Sequence, residues 1–160
     1  NALQLNMEDT DISELLTFIC EEQIQINSKD TVLQTDITPN IFARVDTFLL
    51  ARLFINLISN AYQYTTDNGM IKDLLKEDGD NIIFEVKDNG VGISEDALPK
   101  IWERFYRVDS SRSNENGSMG LGLSMVKCIA EAHNGKVFAN SKLGEGSTFT
   151  FILPKASKDV

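Results

Sequence analysis

Apolar residues recur at helical spacing in several stretches of the chain and alternate with polar ones in others. Ile12, Leu15, Leu16, Ile19 and Cys20 predict a helix over roughly 12–27. Asp11-Ile-Ser-Glu14 fits a capping box at its start: the aspartate accepts a free backbone N–H and the glutamate reaches back. Leu50, Leu53, Phe54, Leu57, Ile58 and Ala61 make the broad apolar face of a second helix. Asp46 is its N-cap, and it runs to about Thr65 before Asp67-Asn68-Gly69 ends it. Ser94 and Glu95 open a short helix over 95–105, and 120–134 is a further helix stopped by Gly135.

Alternation predicts strands over 31–37 and 41–45, joined through a turn at Pro39-Asn40. The runs 70–75 and 82–87 flank Lys76-Glu77-Asp78-Gly79-Asp80, which reads as a hairpin turn. The runs 136–140 and 147–153 pair around Leu143-Gly144-Glu145-Gly146, and Pro154 closes the last strand. The stretch 106–119 has little periodicity, is rich in Ser, Asn and Arg, and reads as a mobile loop. No internal repeat or long linker divides the chain. The economical architecture is α+β: one domain, a mixed sheet with three long helices packed on one face.

Composition adds exclusions. At 160 residues the chain can bury a real core. A net charge of −9 argues against a general nucleic-acid binder, which needs a basic footprint. It leaves room for a phosphate ligand held by a glycine turn and a metal ion. Cys20 and Cys128 lie far apart in helical patterns without metal-ligand spacing, and read as reduced thiols of a cytoplasmic protein. No apolar run reaches the ~20 residues of a membrane span. The chain does not begin with Met and reads as an excised fragment.

Three clusters carry candidate chemistry. Asn56, Asn60, Gln63 and Tyr64 fall within roughly a 100° arc of one helix. A solvated face explains that stripe as well as a site does. The functional reading is an Asn carbonyl oxygen on a hard cation such as Mg²⁺, with Tyr64 covering a flat ring. The second cluster is Asp88-Asn89-Gly90-Val91-Gly92-Ile93, where a strand delivers a carboxylate to a glycine turn. A plain β-turn explains it equally well alone. The third is Gly117-Ser118-Met119-Gly120-Leu121-Gly122-Leu123, directly before a helix whose free N–H groups suit an anion.

Together these stretches resemble the ATP-binding catalytic domain of sensor histidine kinases, in the superfamily shared with gyrase, mismatch-repair and chaperone ATPases. Asn56 to Tyr64 resembles the N box, Asp88 to Ile93 the first glycine box, and Ile101-Trp-Glu-Arg-Phe-Tyr-Arg107 the phenylalanine box. Gly117 to Leu123 resembles the second glycine box, and Gly144-Glu-Gly146-Ser-Thr148-Phe-Thr-Phe the last strand pair. The match covers nearly the whole chain in the family's order.

The resemblance implies a two-layer α/β sandwich of the Bergerat type, with about five mostly antiparallel strands under three helices. It implies that Asn60 holds Mg²⁺, that Asn56 lines the phosphate region, and that Tyr64 covers the adenine. Asp88 would accept from the adenine amine, with Gly90, Gly92 and Ile93 shaping the turn. Tyr106, Arg107, Gly120, Leu121, Gly122 and Leu123 would approach the phosphates, and Gln63 and Thr148 would complete the nucleotide contacts. Gln63 departs from the family's usual Lys or Arg, Trp102 from Phe, and Ser118 and Met119 from Gly and Thr. The superfamily's hydrolases carry a glutamate where this chain has Asn56. An amide cannot take a proton from water, so the expected reaction is phosphoryl transfer, with Asn56 and Arg107 in the catalytic set.

The implied acceptor is a histidine on a dimerising helical hairpin of the same protein, which then feeds a response regulator. Nothing in this chain resembles that hairpin, so residues 1–160 read as the catalytic and ATP-binding domain alone, itself monomeric. The parent is expected to be anchored in a bacterial membrane, with this domain on the cytoplasmic side. The chain's one histidine, His133, falls at a helix end about 16 Å from Gly122 at ~1.5 Å per residue, and reads as structural. A serine kinase of the anti-sigma type, or a non-enzymatic ATP sensor, is the alternative.

Overall fold

The computed structural model describes residues 3–27, 30–106 and 122–155. Strand β1 (Met7–Asp11) leads into helix α1 (Ile12–Ile26), then β2 (Val32–Ile37) and β3 (Phe42–Asp46). Helix α2 (Thr47–Tyr64) follows, then β4 (Met70–Asp78) and β5 (Asn81–Asp88). Helix α3 (Gly122–Ala132), β6 (Lys136–Lys142) and β7 (Gly146–Pro154) complete the order. Both predicted caps are present. Asp11 accepts from the Glu14 N–H at 3.0 Å, and Asp46 from the Leu49 N–H at 3.0 Å.

The five-stranded sheet has the order β2-β4-β5-β7-β6. Its one parallel pair, β2 with β4, is possible because α2 lies in the crossover between them. The other pairs are antiparallel. The helices lie on one face, α1 over the β2 edge, α2 over β5 and α3 over the β6 edge. This is the α+β architecture the sequence predicts. Buried side chains from all three helices and the covered sheet face form one cluster. At its centre the rings of Phe54 and Phe84 meet at 4.7 Å.

Strand alternation fixes which β5 residues meet that core. Ile82, Phe84, Val86 and Asp88 are buried in turn, and their β7 partners Leu153, Phe151, Phe149 and Ser147 share the face. An apolar row thus ends in a carboxylate.

Strands β2 and β3 follow one another through the expected turn but do not pair: β3 pairs with the unpredicted β1. The turn between β2 and β3 is instead held by α1, where Ser13 Oγ donates to Thr38 O (2.6 Å) and accepts from Ile41 N (3.0 Å). The β4–β5 turn is tighter than expected, only Gly79-Asp80, with Gly79 at φ 61 in the first central position. Residues 95–105 form no α-helix. A 3-10 turn, Leu98–Lys100, contains Pro99, whose ring cannot sit in a helix interior, and Phe105 is left-handed at φ 66. Finally, α3 stops in a Schellman motif whose left-handed residue is Asn134 (φ 61), not Gly135. Gly135 N donates to Ala130 O at 2.8 Å and Asn134 N to Glu131 O at 3.0 Å. Gly135 is glycine for another reason: a Cβ there would overlap Ile152 O.

Candidate functional site

Asp88 ends β5 at the mouth of the core, only 3% exposed. Its Oδ1 accepts from the Gly90 N–H at 2.8 Å. Burial pushes its carboxyl above the ordinary range, against the lowering pull of the Gly90 and Ser147 backbone N–H groups. A buried carboxylate so placed is an acceptor for an amine donor.

The turn after Asp88 is clamped from two sides. A Cβ on Gly90 would overlap Tyr64 O, and Val91 N donates to the same carbonyl at 3.1 Å. This joins the turn to the end of α2. Gly92 has φ 76, and a Cβ there would overlap Lys142 O. Gly144 N donates to Val91 O at 2.8 Å, and Ile93 N to Ser141 Oγ at 2.7 Å. This joins it to the β6–β7 hairpin. Gly146, at φ 109, would overlap Asp88 O if it carried a Cβ. The glycines therefore serve close backbone packing.

Asn56, Asn60, Gln63 and Tyr64 are all half-buried along one side of α2. Asn56 Nδ2 reaches Gly122 O at 3.5 Å, so the stripe faces the start of α3. Gln63 Nε2 is buried with no hydrogen-bond partner among the described residues. Leu123, Ile93 and Tyr106 pack half-buried against the core. Trp102 meets Phe149 edge-on at 5.9 Å. The structure thus brings the α2 stripe, the Asp88 turn and the start of α3 to one end of the sheet.

Thr148 is not brought there. It pairs with Lys87, so it lies on the opposite sheet face from Asp88. Ser147 is Asp88's cross-strand partner and shares its face, with Ser141 Oγ 2.8 Å from Ser147 Oγ. Counting by twos from Phe149, Phe151 and Leu153 selects Ser147. Sequence reading also missed Ser141. Arg107, Gly120 and Leu121, with the expected loop over 106–119 beyond Tyr106, lie outside the described residues.

His133 follows the last turn of α3, at the opposite end of that helix from Gly122. It is 6% exposed, with Nδ1 2.9 Å from Ile129 O and Nε2 accepting from Asp46 N at 3.0 Å.

The residues present fit a magnesium nucleotide. Among the described residues no three His, Cys, Asp or Glu side chains converge as a metal cage. A cation here would take Asn oxygen, phosphate and water, the ligand set Mg²⁺ prefers. Gln63 Nε2 is an amide donor lacking an acceptor. Gly122 has open space where a Cβ would stand, its nearest neighbour being Asn56 Cγ at 3.9 Å. Nothing among the described residues fills that space, which leaves room for a ligand at the Gly122 backbone.

Among the described residues an antiparallel-rich sheet thus lies under three helices, with the buried Asp88 at its mouth and the amide stripe on α2. Residues 45–157 match the family of histidine kinase-, DNA gyrase B- and HSP90-like ATPases, and the chain belongs to that family. Within it, this is a catalytic ATP-binding domain of the sensor-histidine-kinase type. Over 154 residues it is 34% identical to "Sensor protein kinase WalK" of Staphylococcus saprophyticus subsp. saprophyticus. That alignment covers 94% of this chain but 25% of the relative, so the chain spans about a quarter of its length. Its fold superposes on a mycobacterial sensor histidine kinase, MprB, with a TM-score of 0.81 and 23% identity, covering 93% and 97% of the two chains. It also superposes on full-length ShkA in complex with AMPPNP, with a TM-score of 0.77 and 27% identity. All of this chain and 33% of ShkA are covered. Among the described residues no helix is long and apolar enough to cross a membrane.

Proposed function

We propose that this domain binds Mg-ATP between α2, the Asp88 turn and the start of α3, and passes the γ-phosphoryl group to a histidine on a helical hairpin elsewhere in the same parent protein. Asp88 carries the reading: a buried carboxylate with a fixed backbone donor at one oxygen accepts from the adenine amine. Tyr64, anchored through its carbonyl to the same turn, lies against the ring. Asn60 offers an amide oxygen to Mg²⁺, and Gln63 Nε2 donates toward a phosphate. Mg²⁺, when bound, neutralises phosphate charge. Asn56, beside Gly122 O, holds α2 and α3 together where the phosphates lie. It has no basicity to activate water, so γ-phosphate is conserved for transfer. Arg107 and the backbone of Gly120 and Leu121 complete the phosphate contacts. Ser147 replaces Thr148 as the β7 residue on the adenine side.

The parent is a membrane-anchored sensor whose hairpin relays phosphate to a response regulator. The match to a quarter of a much longer sensor kinase supports this extent. The test is incubation with γ-labelled ATP, alone and with a dimerising hairpin added in trans. Acid-labile label should appear on the hairpin only, and weakly, because the tether that raises effective concentration is absent. Label on serine, or none despite tight ATP binding, would favour the anti-sigma-type kinase or the ATP sensor.

A further inference from the structure

We infer that His133 is a positioning residue: it fixes the tilt of α3 on α2, and so places the start of α3 against the nucleotide's phosphates. This rests on the Mg-ATP reading above.

Helix α3 is tied to α2 at both of its ends. At its start, Asn56 Nδ2 of α2 reaches Gly122 O at 3.5 Å, the long limit of a hydrogen bond. At its end the tie is stronger. His133 Nε2 accepts the Asp46 N–H at 3.0 Å, and the ring's Nδ1 lies 2.9 Å from Ile129 O. With Nε2 accepting from a backbone N–H, Nδ1 is the ring's donor, to Ile129 O. Asp46 is not a loose anchor. It is the N-cap of α2, its Oδ1 accepts from Leu49 N at 3.0 Å, and its Oδ2 accepts from Asn6 N at 2.9 Å. His133 thus bolts the end of α3 to the N-cap residue of the helix that carries Asn56 and Asn60.

Between the ties Val126, Ile129 and Ala130 are buried, and such non-directional packing resists separation more than rotation. A helix of 11 residues is about 16 Å long. Without the His133 bond the orientation of that end is no longer fixed, and a tilt of ~10° about it shifts the start of α3 by about 3 Å, the length of a hydrogen bond.

The test compares His133→Gln with His133→Asn. The Gln carboxamide reaches the Nε2 position and can accept from Asp46 N. Asn is one methylene shorter, reaches only the Nδ1 position, and keeps the bond to Ile129 O while dropping Asp46. Calorimetry with adenosine and with Mg-ADP separates the base from the phosphates. In His133→Asn the ratio of adenosine to Mg-ADP dissociation constants should fall about fivefold, the size of one lost hydrogen bond. Adenosine affinity itself should hold within twofold, and His133→Gln should keep the wild-type ratio. An unchanged ratio in folded His133→Asn overturns the inference. So does an equal loss for both ligands, or a protein that no longer folds, since either makes the contact one of general stability. Wild-type protein that binds neither ligand would refute the nucleotide reading instead.

Discussion

Gly90 sits against the carbonyl of Tyr64 so closely that a Cβ would overlap it, and the next residue, Val91, donates to that carbonyl at 3.1 Å. The end of α2 and the Asp88 turn are therefore one rigid unit. Gly90→Ala should push them apart at a cost of about 1–3 kcal/mol, the usual range for overpacking. Urea unfolding should show that loss, and calorimetry should show weaker adenosine binding than in wild type. A Gly90→Ala protein of wild-type stability would mean the turn yields freely, and the rigid unit would not exist.

Asp88→Asn keeps the shape and removes the carboxylate. The domain should remain folded, because burial already disfavours the charged form and its neutral replacement relieves that cost. ATP affinity should drop by tenfold or more, about 1.4 kcal/mol, as a site built on a buried hydrogen bond loses its acceptor. Discrimination against GTP, whose carbonyl repels the native carboxylate, should shrink with it. Unchanged ATP affinity in the folded variant would remove Asp88 from the site.

What could be read from the chain and what could not divide along physical lines. Asp11 and Asp46 were legible as caps because capping is local: each carboxylate meets an N–H three residues on. The apolar faces of α1 and α2 were legible because helical period repeats many times. Strand β1, Met-Glu-Asp-Thr-Asp, has no apolar alternation and exists because β3 offers an edge. The parallel β2–β4 pair is a long-range contact with no local signal. The helix expected over 95–105 overlooked Pro99. Asp88, Gly90 and the α2 stripe stand out by residue type and spacing, and the structure places them at one end of the sheet. Thr148 missed by one position, which in a strand reverses the face.

Asn60→Ala tests the metal. Alanine is the better helix former, so α2 should survive. Mg-ATP affinity should fall about tenfold or more, while adenosine affinity stays within about twofold, since only the former uses a cation ligand. Titrations of both ligands against the variant decide it. An equal loss for the two would point to damage in α2 and leave Mg²⁺ to other groups.

Asp73 predicts an unusual response to pH. It lies on β4, 1% exposed, with Oδ2 accepting from Cys20 Sγ of α1 at 3.1 Å. Its Oδ1 has no hydrogen-bond partner among the described residues. Burial pushes this carboxyl up to about 7, only partly offset by the thiol's hydrogen bond. Burial, and then the Asp73 charge, push the Cys20 thiol and the Tyr62 hydroxyl up as well, so neither ionises to relieve it. In the unfolded chain the same carboxyl titrates near 3.9. Between these values the folded state holds the proton and the unfolded state has released it. Stability from this group is therefore complete below about pH 4, declines as pH rises toward 7, and is level above. Three pH units correspond to about 4 kcal/mol at the most. Asp46 works in the opposite sense. The N–H groups of Asn6 and then Leu49 hold its carboxyl below the usual range, so its contribution is lost only in acid. In Asp73→Asn the decline should disappear. At pH 8 the variant should be the more stable protein by about 2 kcal/mol, after the cost of an amide N–H lacking an acceptor. Toward pH 5 that advantage should vanish. Urea unfolding of both proteins from pH 5 to 8 makes the comparison, and parallel curves would show that Asp73 carries no proton in the folded domain at neutral pH.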